Sequence, residues 1–436
     1  STKAVYIFNL TIMARFFGIF GFLFILGIAY LMSNNKKAIN LRLVLSGLGL
    51  QLLLAFFILK TSIGQMLFHK IADFITKILD YALSGGEFVF GVLIKKETLA
   101  EVFGPASSFI FMFQIMPTII FVAVLVSIAY HIGLMQRIVS VFAKGMKAIM
   151  NVSGAEALSN VSSAFVGQVE AQILIKPYIS KMTMSELLAS MTGSMACIAG
   201  GVMAVYISMG VPAEYLLAAS IMAAPAALVI SKIVYPETEE SETKGTVKLE
   251  IKKTHSNLMD AISHGASDGL KVSLNVIAML IGVIALIALI DATLGFCGRH
   301  LADWGLSLSA INIDLAKLSL KEILGAVFSI FAYLMGVPSQ DVHTAGQLLG
   351  TKLAVNEFVA YVDFTASMKT MSPKAVTILS IALCGFANFS SVAIQVGGIG
   401  ELAPSRRADL AKLGLKALVC GTLASYLSAT LAGILM

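Results

Sequence analysis

The stretch FVGQVEAQILIKPY, residues 165–178, sets an amide and a carboxylate, Gln168 and Glu170, in an otherwise apolar run with no basic residue before Lys176. In a water-soluble protein this would be an ordinary mixed segment. The rest of the chain makes it extraordinary. Of 436 residues, 58% are hydrophobic and 13% charged, whereas soluble domains are about half apolar and about a quarter charged. The composition is that of an all-α polytopic membrane protein. A charge at the centre of a bilayer costs about 2.5–3.5 kcal/mol on insertion scales, so an acid there implies a role or a partner.

Uncharged runs long enough to span cover 16–35, 43–59, 102–130, 187–213, 215–231, 272–290, 375–400 and 417–436. They predict about eight transmembrane helices, each near the roughly 20 residues a bilayer core requires. The first lacks the small-residue cleavage pattern of a signal peptide and reads as a retained helix. The net charge of +6 calls for no nucleic acid, because basic residues in such chains mark cytoplasmic loops. Two basic stretches, NNKKAINLR (34–42) and APSRRADLAKLGLK (403–416), are an even number of spans apart. If their side is cytoplasmic, both termini face outward.

Some helical segments do not read as spans. In 64–83, Leu67, Phe68, Ile71, Phe74, Ile75, Ile78, Leu79 and Ala82 share one face; Lys70, Asp73, Lys77 and Asp80 share the other. That period suits an amphipathic helix lying in the interface. Residues 136–150 repeat it, with Arg137, Lys144 and Lys147 on the polar side. The most polar linker, YPETEESETKGTVKLEIKKTH (235–255), reads as a solvent loop between two halves.

Residues 153–182 and 320–357 are apolar runs broken by Glu156, Gln168, Glu170 and Pro177, and by Gly336, Pro338, Asp341 and Glu357. Both are too interrupted to cross simply. Each reads as a re-entrant hairpin, and each is followed by two spans. Three spans lie between them, so the hairpins enter from opposite faces and the repeats are inverted. Inverted repeats with broken helices characterise secondary transporters, whose site lies at the midplane where the repeats meet.

Broken backbone at membrane depth survives only if protein buries it or it lines a wet cavity. Glu170 and Glu357 stand at such breaks and are candidates for function; the plainer alternative is a carboxylate paired with a lysine or capping a helix. Glu156 and Asp341, after Ser153 and Ser339, read as capping-box acids. In CGFANFSSVAIQVGG (384–398), Asn388 and Ser391 share a helix face, and local unwinding at Gly385–Asn388 would let Phe386 join them. Ser and Asn as glue between helices is the competing reading. Gln168 and Glu170 can match the hydrogen-bonding edge of a nucleobase, Glu357 can accept from a vicinal diol, and Phe386 can stack on a ring. No Arg or Lys cluster accompanies them, which disfavours a phosphate. The pattern permits a neutral, polar, cyclic solute.

Four cysteines, Cys197, Cys297, Cys384 and Cys420, lack metal-ligand spacing and read as buried free thiols. His69, His131, His255, His264, His300 and His343 are scattered in the sequence without a metalloprotease arrangement. No catalytic group and no cofactor is expected.

The chain resembles the concentrative nucleoside transporter family in GQVEAQILIKPYISKMT (167–183), MGVPSQDVHTAGQLLGTKLAVNEFVAY (335–361) and CGFANFSS (384–391), and the resemblance extends over nearly its whole length. It implies a homotrimer in the plasma membrane, in bacteria the inner membrane, each subunit with its own pathway. It implies that Gly167, Gln168, Val169, Glu170 and Val202 surround the base, that Glu357, Asn388 and Ser391 hold the ribose, and that Phe386 lies beside the site. It also implies an elevator, with the hairpin repeats moving against a scaffold that includes spans 102–130 and 272–290. On this reading the chain divides into 1–101 (N-terminal helices and interfacial helix), 102–150 (scaffold and interfacial helices), 151–234 (first hairpin repeat), 235–319 (cytoplasmic linker and scaffold helix) and 320–436 (second hairpin repeat).

Two departures from the family pattern bear on specificity and on the ion. Val169 stands where many members carry a hydroxyl. Ser163 and Cys197 stand where sodium-coupled members have Asn and Ser; with the backbone carbonyls of Val166 and Ile198 they would form the sodium site. Sodium wants hard oxygen ligands, and thiol sulfur is soft. A proton needs only a buried carboxylate able to change its protonation state, for which Glu170 and Glu357 are candidates. The expectation is a proton-coupled nucleoside symporter, with sodium coupling as the alternative. A symporter of another small polar solute would expect an Arg in 417–436, which has none. An intramembrane enzyme lacks its motif, and a passive channel has no need of two hairpins with acids at their tips.

Overall fold

The computed structural model describes residues 18–104, 110–243, 255–304 and 314–436. Within them the secondary structure is helical. The first helices are α1 (Gly18–Leu31), α2 (Leu41–Lys60), α3 (Ser62–Phe90), α4 (Lys96–Phe103), α5 (Phe111–His131) and α6 (Leu134–Met150). Six helices among the described residues are long and apolar enough to cross a membrane, and α1 and Pro373–Ala382 are shorter apolar ones. Each of the eight predicted spans falls on one of these segments.

The amphipathic segment expected at 64–83 is longer, the whole of α3. It is capped by Thr61, whose side chain accepts from the Gly64 amide. Phe68, Leu79 and Ala82 of its predicted apolar face are buried, whereas Leu67, Ile71 and Phe74 are exposed. α6 turns Val139, Ala143 and Met146 inward, as its periodicity predicts.

The first repeat continues with α7 (Gly154–Ser163), α8 (Glu170–Ile173), α9 (Lys176–Ile179), α10 (Met184–Ala196), α11 (Gly200–Ser208) and α12 (Ala213–Val234). The second contains α14 (Leu320–Leu334), α15 (Val342–Ala354), α16 (Glu357–Ser367), α17 (Pro373–Ala382), α18 (Phe389–Leu402) and α19 (Arg407–Leu435). Both run in one order: amphipathic helix, hairpin, broken helix, long helix. The second hairpin is therefore α15 and α16, residues 342–367, and not 320–357 as predicted. α14 precedes it as α6 precedes the first, and a left-handed turn residue, Gly336 or Asn151, stands after each. The predicted span 187–213 is broken at Cys197–Ala199, and 375–400 is broken at Leu383–Asn388, where unwinding was expected.

Between the repeats runs α13 (Leu258–Asp303), 46 residues long. It packs on α5 through a seam of small residues. A Cβ at Gly265 would lie 2.8 Å from Val124 Cα, and one at Gly269 would lie 2.6 Å from Ile120 Cα. Such seams let membrane helices approach closely. On other sides of α13, Ile281, Ile284, Leu286 and Leu289 are exposed, as a helix facing lipid or another subunit would be.

The linker reading needs correction for 235–243; residues 244–254 lie outside the described set. Thr243 Oγ1 donates to Glu186 at 2.7 Å, Ser241 also donates to Glu186, and Thr183 Oγ1 donates to Glu237 at 2.7 Å. This part is fastened across the start of α10. Likewise 403–416 is not a loop: α19 begins at Arg407.

Candidate functional site

In the second repeat the hairpin and the broken helix each place a polar residue at the start of a helix, because short polar side chains cap free backbone amides. Asn356 accepts from Val359 N at 2.9 Å, which starts α16 and sets Glu357 in its first turn. Asn388 accepts from Ser391 N at 2.8 Å and starts α18. Asn388 Nδ2 also donates to Glu357 Oε2 at 2.8 Å. Glu357, Asn388 and Ser391 are all buried. The three predicted ribose residues are thus one hydrogen-bonded group, built on two helix starts.

The first hairpin meets this group through its tip. Gln168 Nε2 donates to Ser391 Oγ at 3.4 Å, and Gln395 Nε2 donates to Gln168 Oε1 at 3.4 Å. Gly167, Gln168, Val169 and Val202 are half-buried. Val169 packs against Gly398, where a Cβ would lie 2.7 Å from its Cγ2. Glu170 departs from expectation. It is exposed, with its carboxylate folded over Gly167, and stands outside the buried group.

The break in the first repeat is tied both to the break in the second and to its own hairpin. The Phe386 amide donates to Cys197 O at 3.2 Å, and the Gly200 amide to Phe165 O at 3.1 Å. Phe386 is half-buried in the unwound segment before Asn388. The Phe165–Gly200 bond brings the segment of Val166 to the break that holds Cys197 and Ile198, and Ser163 meets Ser194 in the turn before it. The Ser163 hydroxyl donates to Ser159 O at 2.8 Å and lies 3.1 Å from Ser194 Oγ. It belongs to a buried polar network in which Gln172 Nε2 donates to Ser194 at 2.7 Å and Ser190 donates to Gln172 at 2.6 Å.

The two predicted capping acids differ. Glu156 forms the expected capping box with Ser153 and also pairs with buried Lys232 at 2.7 Å. Asp341 does not cap its own helix. Its Oδ2 accepts from Ser372 Oγ at 2.6 Å and Ser372 N at 3.2 Å, across to α17. Cys197, Cys384 and Cys420 are buried thiols, whereas Cys297 is exposed.

Sequence reading missed three residues. Lys352 is buried and donates to Ala382 O at 2.8 Å, at the last turn before the break. A cation suits the carbonyl end of a helix. Gln395 was legible: it follows Asn388 and Ser391 at helical spacing and so shares their face. Tyr206 stacks on Tyr361 at 4.0 Å behind Glu357, which a lone tyrosine in an apolar run does not announce.

Known proteins match throughout. The family model for the Na+ dependent nucleoside transporter C-terminus matches residues 215–433. That for the N-terminus matches 20–93, and a nucleoside recognition model matches 112–213. An uncharacterized transporter of Haemophilus influenzae is 42% identical, over 95% of this chain and 96% of its own. Nucleoside permease NupC of Helicobacter pylori is 35% identical, over 97% of this chain and 98% of its own. The structure of CNTnw in an inward-facing substrate-bound state matches with a TM-score of 0.88 at 37% identity, over 98% of each chain.

Proposed function

The chain belongs to the sodium-dependent nucleoside transporter family, and on that premise we propose that it is a proton-driven nucleoside symporter of the cell's plasma membrane. One observation carries the site assignment: Gln168 of the first repeat meets Ser391 of the second, beside the buried group of Glu357 and Asn388. In this reading Glu357, Asn388 and Ser391 take the ribose hydroxyls. Gly167, Gln168, Val169, Glu170 and Val202 surround the base, and Phe386 covers the ring. A carboxylate accepts through both oxygens, so Glu357 can serve Asn388 and a diol together. Val169, turned onto Gly398, offers the base an apolar contact.

Proton coupling is supported by the side chains where sodium would sit. The Ser163 hydroxyl is engaged by Ser159 and Ser194, and Cys197 brings sulfur. Of the two candidate acids, Glu357 is buried and Glu170 is not, which favours Glu357 as the proton carrier. Should sodium drive transport, Ser163, Val166, Cys197 and Ile198 are its residues. An elevator is supported by the seam of α5 and α13, a candidate scaffold for the repeats to move against. The exposed apolar side of α13 suits a homotrimer.

Uridine binding to detergent-purified protein tests the site. Binding that is lost on Asn388→Ala while the protein stays folded agrees with it. Full affinity in that variant would place the nucleoside elsewhere.

A further inference from the structure

Three histidines that are far apart in the sequence converge at one end of the α5–α13 pair. His131 ends α5, His255 is the last residue of the linker before α13, and His264 lies in the second turn of α13. We propose that His255, Asp260 and His264, with His131 beside them, form a binding site for a first-row divalent transition metal of the zinc class. This site is separate from the nucleoside group and does not depend on that assignment.

One ligand atom from each of His255, Asp260 and His264 lies within 4.8 Å of the others. Imidazole nitrogen and carboxylate oxygen are the donors zinc accepts alongside thiolate. Asp260 Oδ1 is 3.5 Å from His264 Nε2. The other carboxylate oxygen, Oδ2, accepts from Ser256 N at 2.8 Å and Ser256 Oγ at 3.0 Å. That anchors the carboxylate with Oδ1 toward the histidines.

Metal-bound histidine usually hands its second ring N–H to an acceptor, which fixes the ring. For His255 the acceptor is Ser127. The Ser127 hydroxyl donates its own proton to Ala261 O at 2.7 Å and lies 3.3 Å from His255 Nε2. With its proton committed, it accepts from Nε2–H and leaves a lone pair on the other ring nitrogen.

A helix-start ion pair between Asp260 and His264 would explain those two residues alone. It does not explain the rest. The rings of His255 and His264 are 5.1 Å apart, and that of His131 is 6.4 Å from His255. His131 Nδ1 is buried with no hydrogen-bond partner. A buried ring nitrogen without a partner is costly, and this one lies beside the three ligand groups.

The test uses full-length protein in detergent, without a polyhistidine tag and stripped with chelator, titrated with Co2+ and then Zn2+. The expected result is the visible absorption of Co2+ in nitrogen and oxygen coordination, saturating at one ion per subunit and displaced by Zn2+, with a rise in the thermal unfolding midpoint. His264 is exposed, so His264→Asn keeps the fold. It and His255→Asn should each weaken Co2+ binding by about ten-fold or more, while His300→Asn leaves it unchanged. Absence of a Co2+ spectrum in the parent protein, or equal binding by parent and both variants, overturns the proposal.

Discussion

The backbone amide of Phe386 donates to the carbonyl of Cys197 at 3.2 Å, so the break in one repeat is hydrogen-bonded to the break in the other. Unwound backbone inside a membrane must find partners within the protein. Here each break supplies part of the other's. The segment of Phe386 and Asn388 and the segment of Cys197 are thus joined by one backbone crossing.

Gly385 makes that crossing possible. Its φ is +156°, and a Cβ there would lie 2.8 Å from Ala196 O and 3.0 Å from Met195 O. Neither carbonyl is a flexible side-chain end. Gly385→Ala is expected to cost about 1–3 kcal/mol, as overpacking does, and to lower uridine affinity with the unfolding midpoint. Gly397→Ala, where a Cβ meets nothing within 4 Å, is the matched control and should leave both intact. Differential scanning fluorimetry and a binding titration read the two together.

Glu357→Gln should nearly abolish nucleoside transport without unfolding the protein, since the amide keeps the shape but loses an acceptor. A nucleoside lacking its 3′-hydroxyl should compete poorly against uridine in the parent. Competition for labelled uridine checks this, and equal inhibition by uridine and its 3′-deoxy analogue would remove the ribose role.

For the base, Gln168→Ala should weaken uridine binding by about 1–3 kcal/mol, the cost of stranding polar partners. Glu170→Gln should weaken it less, because Glu170 is exposed and not part of the buried group. Free ribose should be a poor ligand. Isothermal titration of both variants measures the order, and unchanged affinity in both would move the base contact away from this tip.

How far these features could be read from the chain depends on how local their signals are. The hairpin tips and the unwinding at Gly385–Asn388 were legible because a polar residue in an apolar run has few explanations. The start of the second hairpin was not. α14 carries its charges, Lys321 and Glu322, at its start and is largely apolar beyond them, so it merged with the hairpin that follows. The true length of α13 was hidden because Asp291, Arg299 and His300 end the uncharged run although the helix continues through them. Asp341 beside Ser339 looks like a cap, yet its partner Ser372 is in the next helix pair. The histidine cluster is tertiary, and only the Asp260–His264 spacing hinted at it.

The Lys232–Glu156 pair is the hairpin's anchor. Both side chains are buried, 2.7 Å apart, and Lys232 also donates to Ser185 at 2.9 Å. Removing one partner of a buried pair leaves a bare charge, so Lys232→Met should cost about 3–5 kcal/mol. Lys232→Met with Glu156→Gln should cost less than that single change, because the stranded carboxylate is gone. Thermal unfolding of the single and double variants checks the sign; a double variant less stable than Lys232→Met contradicts it.

Uridine uptake into proteoliposomes tests the central claim most directly. Uptake is followed under an inward proton gradient in sodium-free buffer, then under a sodium gradient at equal pH. The account predicts concentrative uptake with the proton gradient alone, abolished in Glu357→Gln. Uptake that follows sodium and ignores the proton gradient would contradict it.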